Sequence, residues 1–549
     1  MPTHDTLSGA DTAWVLTCAA LVMFMVPGLA FFYAGMVRGR NVLTMLQQNF
    51  VALGVVSLTW IMFGYTIAFG GESGSGFLGD LELFGLPFHE AAPDRPLHTI
   101  TAGVAVPALA FVAYQMRFAV ITPALITGAT ADRLKTGGWI AFLALWPVIV
   151  YAPIAHWLWG PNGWLADLGA QDWAGGIVVH ASAGTAVIAV LLVVGRRKNW
   201  PNIGGRANSL PLPLVGAGIL WFGWFGFNAG DGLAADELAA QAALNTHIAA
   251  AAGMCVWLIA ERITDGQASA LGGVSGAVAG LATITPCAGY VGVFSALIIG
   301  ALAGLICHLA LRLKSLLRFD DALDVVAVHF VGGVLGSLLL GLFADRSVNQ
   351  RGSDGLFNGG GLSLLGNQAL ALAAVIGFSF VLSWLIAAGI QWTIGLRVDP
   401  ADEDRLDEEQ QGMEAYHTDH ASSLVGSGPA TDRRTPPAPE PEEPPADLVL
   451  ITQFLDMEKV DSDHLQAVVL ASGAISVAIS DARVYTGSPD FQVVRSVRTE
   501  RVFPPRLRVD ILAPGSSVPG IMAALDRYAA EGHQGFVLDA HPSPADGRP

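Results

Sequence analysis

The stretch DWAGGIVVHASAGTAVIAVLLVVG (172–195) contains one long apolar run, and this run decides the fold class of the chain. About 20 mostly apolar residues are enough to cross a bilayer as a helix, and residues 174–195 meet this requirement. Ten further stretches do so, because glycine and proline inside them are tolerated where neighbouring helices satisfy the freed backbone groups. The sequence therefore predicts a helical membrane protein with eleven spans, at residues 12–36, 43–70, 99–127, 137–155, 174–195, 211–229, 241–260, 268–286, 291–311, 323–343 and 364–394.

The composition agrees with this fold class. Of the 549 residues, 52% are hydrophobic and 14% are charged, whereas soluble domains carry about 25% charged residues. Disorder, coiled coil and a purely soluble enzyme are therefore excluded, and the net charge of −17 argues against a nucleic-acid partner. Residues 399–549 hold 26 acidic and 12 basic side chains, a balance of −14, against −3 for residues 1–398. The apolar body is thus followed by a polar C-terminal region.

Basic residues in the short loops predict the orientation of the spans, because cytoplasmic loops carry an excess of Lys and Arg. Twelve basic residues follow odd-numbered spans, and three lie in the other loops, at Arg95, Arg346 and Arg351. We therefore expect a multi-pass protein of the cell membrane with its N-terminus outside and its C-terminal region in the cytoplasm. The acidic start of the chain, with Asp5 and Asp11, lacks the basic segment of a signal peptide.

Changes in composition predict the domain organisation. A membrane domain (1–398) is followed by a juxtamembrane tail (399–420), a linker with seven prolines (421–447), a small domain (448–541) and a disordered end (542–549). In the small domain, strand and helix patterns alternate in the β-α-β-β-α-β order of a ferredoxin-like α+β fold. The predicted strands are 448–454, 475–485, 506–513 and 535–540, and the predicted helices are 461–472 and 517–530.

Two histidines inside predicted spans are the first functional candidates, because ionisable side chains in a membrane are expensive. His180 lies in the fifth span and His329 in the tenth, and each follows an aspartate by eight residues, Asp172 and Asp321. An inverted repeat of five spans would bring the two histidines together near the midplane. The alternative is two unrelated histidines bonded to backbone. The four cysteines show no metal-binding spacing, so no metal site is expected.

Seven stretches of the membrane body carry a recognisable pattern, namely PGLAFFYAGMVRGRNVL (27–43), ITGATADRL (126–134), DWAGGIVVH (172–180), GWFGFNAG (223–230), SGAVAGLATITPCAGYVG (275–292), DDALDVVAVHFVGG (320–333) and GLRV (395–398). In these stretches, and in their order, residues 12–416 resemble the Amt/Mep/Rh family of ammonium transporters. The resemblance implies an eleven-span trimer with its N-terminus outside and one hydrophobic pore per subunit, which is not an enzyme.

The resemblance assigns roles to individual residues. His180 and His329 match the family's twin histidines in the pore, and Phe118 and Phe227 match its stacked gate at the outer entrance. The ammonium recruitment site is expected to comprise Trp159, Tyr114 and Asp231, supporting roles fall to Asp172, Thr285, Asp324 and Arg117, and the regulatory tail motif LDEEQQGMEAY (406–416) contains Gly412 and Tyr416.

Three residues depart from the family pattern. Asp231 replaces a usual serine, Arg117 replaces a small or neutral residue beside Phe118, and Tyr114 replaces a usual phenylalanine. One hypothesis is that Arg117 and Asp231 approach each other and form an ion pair at the pore mouth. The alternative is two solvated residues at the rim that never meet.

Residues 448–541 resemble the PII signal-transduction family in element order and in FPPRLRVDILAP (503–514). That family binds nucleotides and 2-oxoglutarate and plugs ammonium channels with a long loop, but the corresponding loop (487–505) is short and the phosphate loop is reduced to EGHQG (531–535). The ATP site therefore looks degenerate, and a nucleotide or another small anion is the expected ligand class. The arginines near the loop either bind an anion, bind the acidic stretch 399–409 or are solvated charges, and they comprise Arg495, Arg498, Arg501, Arg506 and Arg508.

The sequence therefore leads to two functional hypotheses. The first is an ammonium transporter regulated in cis by contact with its PII-like domain, acting as a homotrimer in membrane lipid. The second is an ammonium sensor with little transport, in which the pore signals to that domain. The histidine pair and phenylalanine gate favour the first, whereas Asp231, Arg117 and the fused domain favour the second.

Overall fold

The computed structural model describes residues 7–71, 76–86, 105–201 and 207–416, and within residues 448–542 chiefly six strands. The chain divides into two units, Met1–Thr418 and Asp419–Pro549. The predicted linker, the predicted helix at 461–472 and most of the predicted helix at 517–530 lie outside the described residues.

The first unit is helical. In its described part, ten helices are long and apolar enough to cross a membrane, and an eleventh apolar helix is shorter. Numbered in chain order, they are α1 Gly9–Ala34, α2 Val42–Phe69, α3 Ala108–Ala129, α4 Thr136–Asp167, α5 Gly176–Val194, α6 Pro211–Gly232, α7 Glu237–Asp265, α8 Ala270–Ile284, α9 Val293–Leu316, α10 Val326–Phe343 and α11 Ser363–Thr393.

Some helix limits differ from those predicted from the sequence, and the end of α4 lies at Asp167 instead of residue 155. Helix α3 begins at Ala108 instead of residue 99, because Pro107 is its extended N-cap. Helix α8 has 15 residues, about 22 Å at 1.5 Å per residue, which is short of a hydrocarbon core of about 30 Å. Pro286 follows it closely, and proline cannot continue a helical hydrogen-bond ladder. The eleven-span expectation therefore remains a prediction, while a membrane protein with ten long apolar helices is observed.

Small residues allow the helices of this unit to pack closely. Helix α1 lies along α6, and α7 lies along both α8 and α9. A Cβ atom added to Gly216 of α6 would come within 2.4 Å of the Phe32 nitrogen of α1, and one on Gly280 of α8 within 2.3 Å of the Ala249 oxygen of α7. Side chains at these glycines would force the helices apart, as expected where small residues line membrane-helix contacts.

Helices α5 and α10, which carry the two histidines, run in opposite directions. The residue that follows α5, Arg197, bonds to Asp320, which precedes α10. The C-terminal end of α5 therefore lies beside the N-terminal end of α10. This is the relation that an inverted repeat produces.

A short helix in the tail, α12 (Leu406–Gln411), docks on the body of the same unit. Neither Asn41 nor Lys135 caps its own helix with its side chain. Instead, the carboxylate of Asp407 accepts hydrogen bonds from the backbone of Leu43 (3.0 Å) and Thr44 (2.7 Å) at the start of α2. Gln410 accepts one from the Thr136 nitrogen (2.6 Å) at the start of α4. One tail helix thus supplies missing caps to two spans.

The two tail residues expected from the family resemblance, Gly412 and Tyr416, lie at the end of this docked segment. Gly412 terminates α12 with a φ of 67°, a left-handed conformation that glycine adopts without strain. The Tyr416 hydroxyl donates to Asn208 Oδ1 at 2.8 Å. Gly412 therefore ends the tail helix, and Tyr416 bonds the tail to the body of its own chain.

Replacing Asp407 with alanine should loosen the docked tail. Loss of an N-cap costs about 1 kcal/mol, so we expect faster tryptic cleavage after the exposed Arg405, measured by limited proteolysis and mass spectrometry. Glu409→Ala, an exposed position on the same helix, should leave the rate unchanged. Equal cleavage rates in both variants and the wild type would show that the cap does not hold the tail.

The second unit contains a four-stranded antiparallel sheet and a separate hairpin. Strands β1 Leu448–Asp456, β2 Ser476–Ala482, β5 Arg506–Pro514 and β6 Gly535–Pro542 pair in the order β2-β5-β1-β6. Leu448 pairs with Pro514, and Ser476 with Leu512. Strands β3 Phe491–Val494 and β4 Val497–Glu500 form the hairpin, inside the segment expected to be a loop. The four sheet strands lie at the positions predicted from the sequence.

Candidate functional site

His180 and His329 face each other in the interior of the helical unit. Their Nδ1 atoms are 3.2 Å apart and their ring centroids 5.2 Å apart, and the side chains are 1% and 4% exposed. A contact between two ring nitrogens needs one proton, so one Nδ1 donates and the other accepts. The histidines bond to each other rather than to backbone. In the described part of the chain, His180 Nε2 is buried without a partner, which leaves it available to a small donor or acceptor.

The local backbone positions this pair in the same way on both helices. Each histidine lies in a π-helical turn, Gly176–Ala181 or Val326–Phe330, and such turns frequently mark functional sites. Asp172 accepts four backbone hydrogen bonds, from residues 175–178 at the start of α5. Asp321 accepts two, from Val325 and Val326. The aspartates eight residues before each histidine therefore anchor its helix start, which is a structural role.

A series of aromatic rings packs against His180. The centroids of Phe118 and Phe227 are 4.3 Å apart, and both rings are buried. Phe227 lies 6.1 Å from the His180 ring, and on the other side Phe118 lies 6.0 Å from Trp159. The sequence-predicted residues thus form one continuous series from Trp159 through the phenylalanine pair to the histidines.

Hydrogen bonds fix the rings of this series. The Tyr114 hydroxyl donates to the Phe227 carbonyl at 2.9 Å and to Gly226 at 3.1 Å, which ties α3 to α6 at the phenylalanine pair. Tyr114 also packs against Phe118 at 5.0 Å. The Trp159 indole donates to the backbone oxygen of Asp172 at 2.9 Å. Backbone carbonyl groups therefore hold the Tyr114 and Trp159 side chains in place beside the phenylalanine pair.

Trp224 is a site residue that sequence reasoning missed. Its ring stacks on His180 at 5.6 Å with an interplanar angle of 23°. Its indole nitrogen donates to Thr285 Oγ1 at 3.0 Å, so Thr285 acts by orienting Trp224. The position of Trp224 within GWFGFNAG (223–230) was the only available signal.

Arg117 and Asp231 do not form the hypothesised ion pair. No nitrogen–oxygen contact within 4.0 Å joins them among the described residues. Arg117 Nε and Asp231 Oδ1 are instead each buried without a hydrogen-bond partner there. Arg117 adjoins Phe118 on α3, whereas Asp231 lies four residues after Phe227 on α6. The pairing hypothesis is therefore wrong.

Asp324 lies just before the start of α10, five residues ahead of His329. Its carboxylate pairs with Lys314 at 2.5 Å, and its own φ is 63°. It shares a turn with Asp321 before the His329 helix, so it supports the start of that helix. It does not belong to the ring series.

A buried ionic cluster near the start of α10 was not predicted. Asp320 pairs with Arg197 (2.8 Å) and Arg133 (3.4 Å), and Arg197 also pairs with Asp132 (3.2 Å). Burial acts to raise the pKa of Asp320, but the hydrogen bonds from Arg197 and the charge of Arg133 outweigh it, so the pKa is lowered. The cluster joins the segments that follow α3 and α5 to the segment that precedes α10.

The described residues contain no group of three or more His, Cys, Asp or Glu side chains placed to hold a metal ion. What the site presents is an aromatic rim, a closed apolar constriction and a buried imidazole pair. Such an arrangement attracts a small cation through ring faces and offers hydrogen-bonding nitrogens inside. It disfavours any ion that must keep its charge through the constriction.

Comparison with known proteins agrees with this chemistry. Residues 13–416 match the model of the Ammonium Transporter Family. The ammonium transporter of Mycobacterium bovis is 44% identical over 439 residues, which cover 76% of this chain and 92% of that protein. Ammonium transporter Amt1 of Archaeoglobus fulgidus is 42% identical over 397 residues, covering 72% of this chain and 96% of that protein.

A solved structure shows the same fold. The crystal structure of Candida albicans Mep2 superposes with a TM-score of 0.67 at 35% identity and covers 73% of this chain and 89% of that chain. The family match spans nearly the whole helical unit, including both histidines and the aromatic series. The chain therefore belongs to the ammonium transporter family and is a multi-pass membrane transporter of ammonium, not an enzyme.

Proposed function

We propose that this transporter moves ammonium through a twin-histidine pore. Ammonium is attracted to Trp159, loses a proton near Phe118 and Phe227, and crosses the apolar constriction as ammonia, while the proton passes along His180 and His329. The observation that carries this proposal is the 3.2 Å contact between the two buried imidazoles directly below the phenylalanine pair. An imidazole pair can accept a proton on one ring and release it from the other.

This route explains how ammonium is distinguished from potassium. The two ions have the same charge and similar size, so a charged filter alone cannot separate them. Ammonium can give up a proton and enter an apolar passage as a neutral molecule, whereas potassium must carry its charge at a high desolvation cost. Selectivity thus comes from the constriction below the rim.

Orientation and assembly are part of the proposal. The loops after the odd-numbered spans carry the excess basic residues, and several of them meet at one end of the unit, where Arg197 bonds both Asp132 and Asp320. This supports placing that end, with the tail, in the cytoplasm. We infer a homotrimer from the family resemblance, with lipid against the exposed apolar side chains of the outer helices.

Regulation by residues 448–541 is also proposed. The order β2-β5-β1-β6 and the strand positions support a PII-like, ferredoxin-type fold, and a short linker gives a tethered domain a high effective concentration near the membrane unit. Nucleotides and small anions are the proposed ligands. Addition of ATP, ADP or 2-oxoglutarate to the full-length protein in liposomes should change the ammonium current, and no response to any of them would contradict this part.

An ammonium-evoked current into liposomes tests the transport proposal in its simplest form. Because ammonia and its proton both cross in the proposed route, liposomes that contain the full-length protein should take up one positive charge with each ammonium and give a current. Potassium at the same gradient should give no current. Equal currents with and without protein would contradict transport.

Trp159→Leu should weaken the apparent affinity for ammonium. A cation–π contact contributes about 0.5–2 kcal/mol, or about 2- to 30-fold, so the half-saturating ammonium concentration should rise by a factor in this range. Trp384→Leu on α11, where the ring is 43% exposed, is the matched control and should not change it. An unchanged half-saturating concentration in Trp159→Leu would remove the ring from the proposed recruitment site.

A further inference from the structure

We propose that Trp60, Gln115 and Tyr151 form an internal binding site for one small neutral molecule that both donates and accepts hydrogen bonds. Water occupies this site in the absence of ammonium, and ammonia has the chemistry to replace it. The three residues lie on α2, α3 and α4, and they belong neither to the ring series nor to the histidine pair. The site is therefore distinct from the proposed pore.

Each of the three residues buries a polar atom that has no hydrogen-bond partner among the described residues. These atoms are Trp60 Nε1, Gln115 Oε1 and the Tyr151 hydroxyl oxygen. The side chains are 1%, 4% and 0% exposed, so bulk solvent does not reach them. A buried polar group that makes no hydrogen bond is costly. Three such groups in one region therefore point to a bound molecule that bonds all of them.

Helix packing brings Trp60 and Tyr151 together. Their ring centroids are 6.2 Å apart. The turn Pro147–Tyr151 contacts both the turn Trp60–Gly64 and helix α3. The indole of α2 and the hydroxyl of α4 therefore meet where both helices pack against α3.

Gln115 lies on α3 at the level of the Trp60 ring. The start of α3 packs against the end of α2, where the Phe111 and Phe69 ring centroids are 4.9 Å apart. Gln115 follows Phe111 by four residues, so it lies on the same face of α3, about 6 Å further in. A Cβ atom added to Gly64 would lie 2.7 Å from the Trp60 ring, and Gly64 precedes Phe69 by five residues, or about 7 Å. The amide and the indole are thus at matching depths.

The backbone gives a second, independent indication of a site. In the part of the chain that the structure describes there are four π-helical turns. Two of them carry His180 and His329, and the other two are Trp60–Gly64 and Pro147–Tyr151. Such turns frequently occur at functional sites. The second pair marks the same place as the unpartnered polar atoms.

The three atoms select the chemistry of the ligand. The indole nitrogen only donates, the amide oxygen only accepts, and the hydroxyl does either. A metal ion does not fit, because the indole N–H offers it no lone pair, and an anion does not fit the accepting oxygen. A buried water molecule typically makes about three hydrogen bonds, which matches the three atoms. Ammonia also accepts and donates hydrogen bonds.

X-ray radiolytic footprinting of the full-length protein in detergent tests the site. Hydroxyl radicals formed from a bound water oxidise the side chains that touch it, even when these are buried, and mass spectrometry measures the rates. In ammonium-free buffer, Trp60 and Tyr151 should be oxidised several-fold faster than Trp139. Trp139 is equally buried, but its indole donates to the Gln48 carbonyl at 2.8 Å.

Two variants remove one partner of the bound molecule each. Gln115→Leu removes the accepting oxygen and Tyr151→Phe removes the hydroxyl, and either should lower the oxidation rate of Trp60 several-fold. If one variant does not fold, the other provides the comparison. Tyr33→Phe is the matched control, because it removes a buried hydroxyl that donates to the Leu125 carbonyl at 3.3 Å. It should keep the wild-type rate at Trp60.

Ammonium identifies which molecule is bound. If ammonia replaces the water, ammonium chloride should lower the oxidation of Trp60 relative to the exposed Trp392, when compared with choline chloride at equal pH and ionic strength. An unchanged ratio shows that water remains bound, and both results support the site.

Two results would overturn the inference. One is oxidation of Trp60 and Tyr151 that is no faster than that of Trp139 in ammonium-free buffer. The other is an oxidation rate of Trp60 that is the same in the wild type, Gln115→Leu and Tyr151→Phe. Neither result bears on transport, which is judged by the ammonium-evoked current.

Discussion

The double variant His180→Asn, His329→Asn should lose its sustained ammonium current. Asparagine keeps a polar side chain of similar reach but cannot carry a proton between two nitrogens, so ammonium that sheds its proton at the entrance has no relay. Positioned proton transfer typically contributes about 10²- to 10⁴-fold, and we expect the current to fall by at least the lower factor. Solid-supported membrane recording of proteoliposomes measures this loss.

His247 provides the matched control for this variant. It lies on α7 with its ring 5.4 Å from Trp221 and 6.2 Å from Phe225, and it is not part of the ring series. His247→Asn should retain the wild-type current. A double variant that conducts as well as His247→Asn would show that the imidazole pair is not the proton path.

The second large effect concerns folding. Asp320→Asn removes the buried charge that offsets Arg133 and Arg197. Breaking a buried ion pair by removing one partner costs about 3–5 kcal/mol because an uncompensated charge is left. The variant should therefore unfold at a clearly lower temperature in detergent. Asp402→Asn, which breaks an exposed pair with Arg405, should leave the unfolding temperature close to that of the wild type.

The pH dependence of this effect has a definite sign. Because the pKa of Asp320 is lowered in the folded protein, its contribution is fully present above the unfolded value of about 4 and is lost as pH falls through the folded value. The difference in the free energy of unfolding between the wild type and Asp320→Asn should therefore be large at neutral pH and should decrease below about pH 4. A difference in the free energy of unfolding that does not change with pH would contradict a role for the charge of Asp320.

The fold class was predictable because lipid imposes one simple requirement, a long run of apolar residues. Ten of the predicted spans are long apolar helices. Helix limits were less predictable where a single proline decides them, as at Pro107. The start of α4 could not be predicted for a different reason. The Thr136 backbone nitrogen donates to the Gln410 side chain, which is 274 positions away in the sequence, so no local pattern reveals the contact.

The candidate site was predictable where an ionisable or aromatic residue stood alone in an apolar run. His180 and His329 were found in this way, and the structure brings them into contact. Contacts between polar residues were not predictable, because they depend on the direction in which each side chain points. The ion pair between Arg117 and Asp231, one of the two alternatives considered, does not form among the described residues, whereas the cluster around Asp320 was missed.

The measurement that tests the central claim most directly is the decay of the ammonium-evoked current in proteoliposomes of different size. Transported ammonium fills the vesicle interior, so the wild-type current should last until the interior is filled. At a given protein density, the current should therefore decay more slowly in larger vesicles. Binding without transport moves charge only once. A brief transient whose decay does not depend on vesicle size would contradict ammonium transport through the His180–His329 pore.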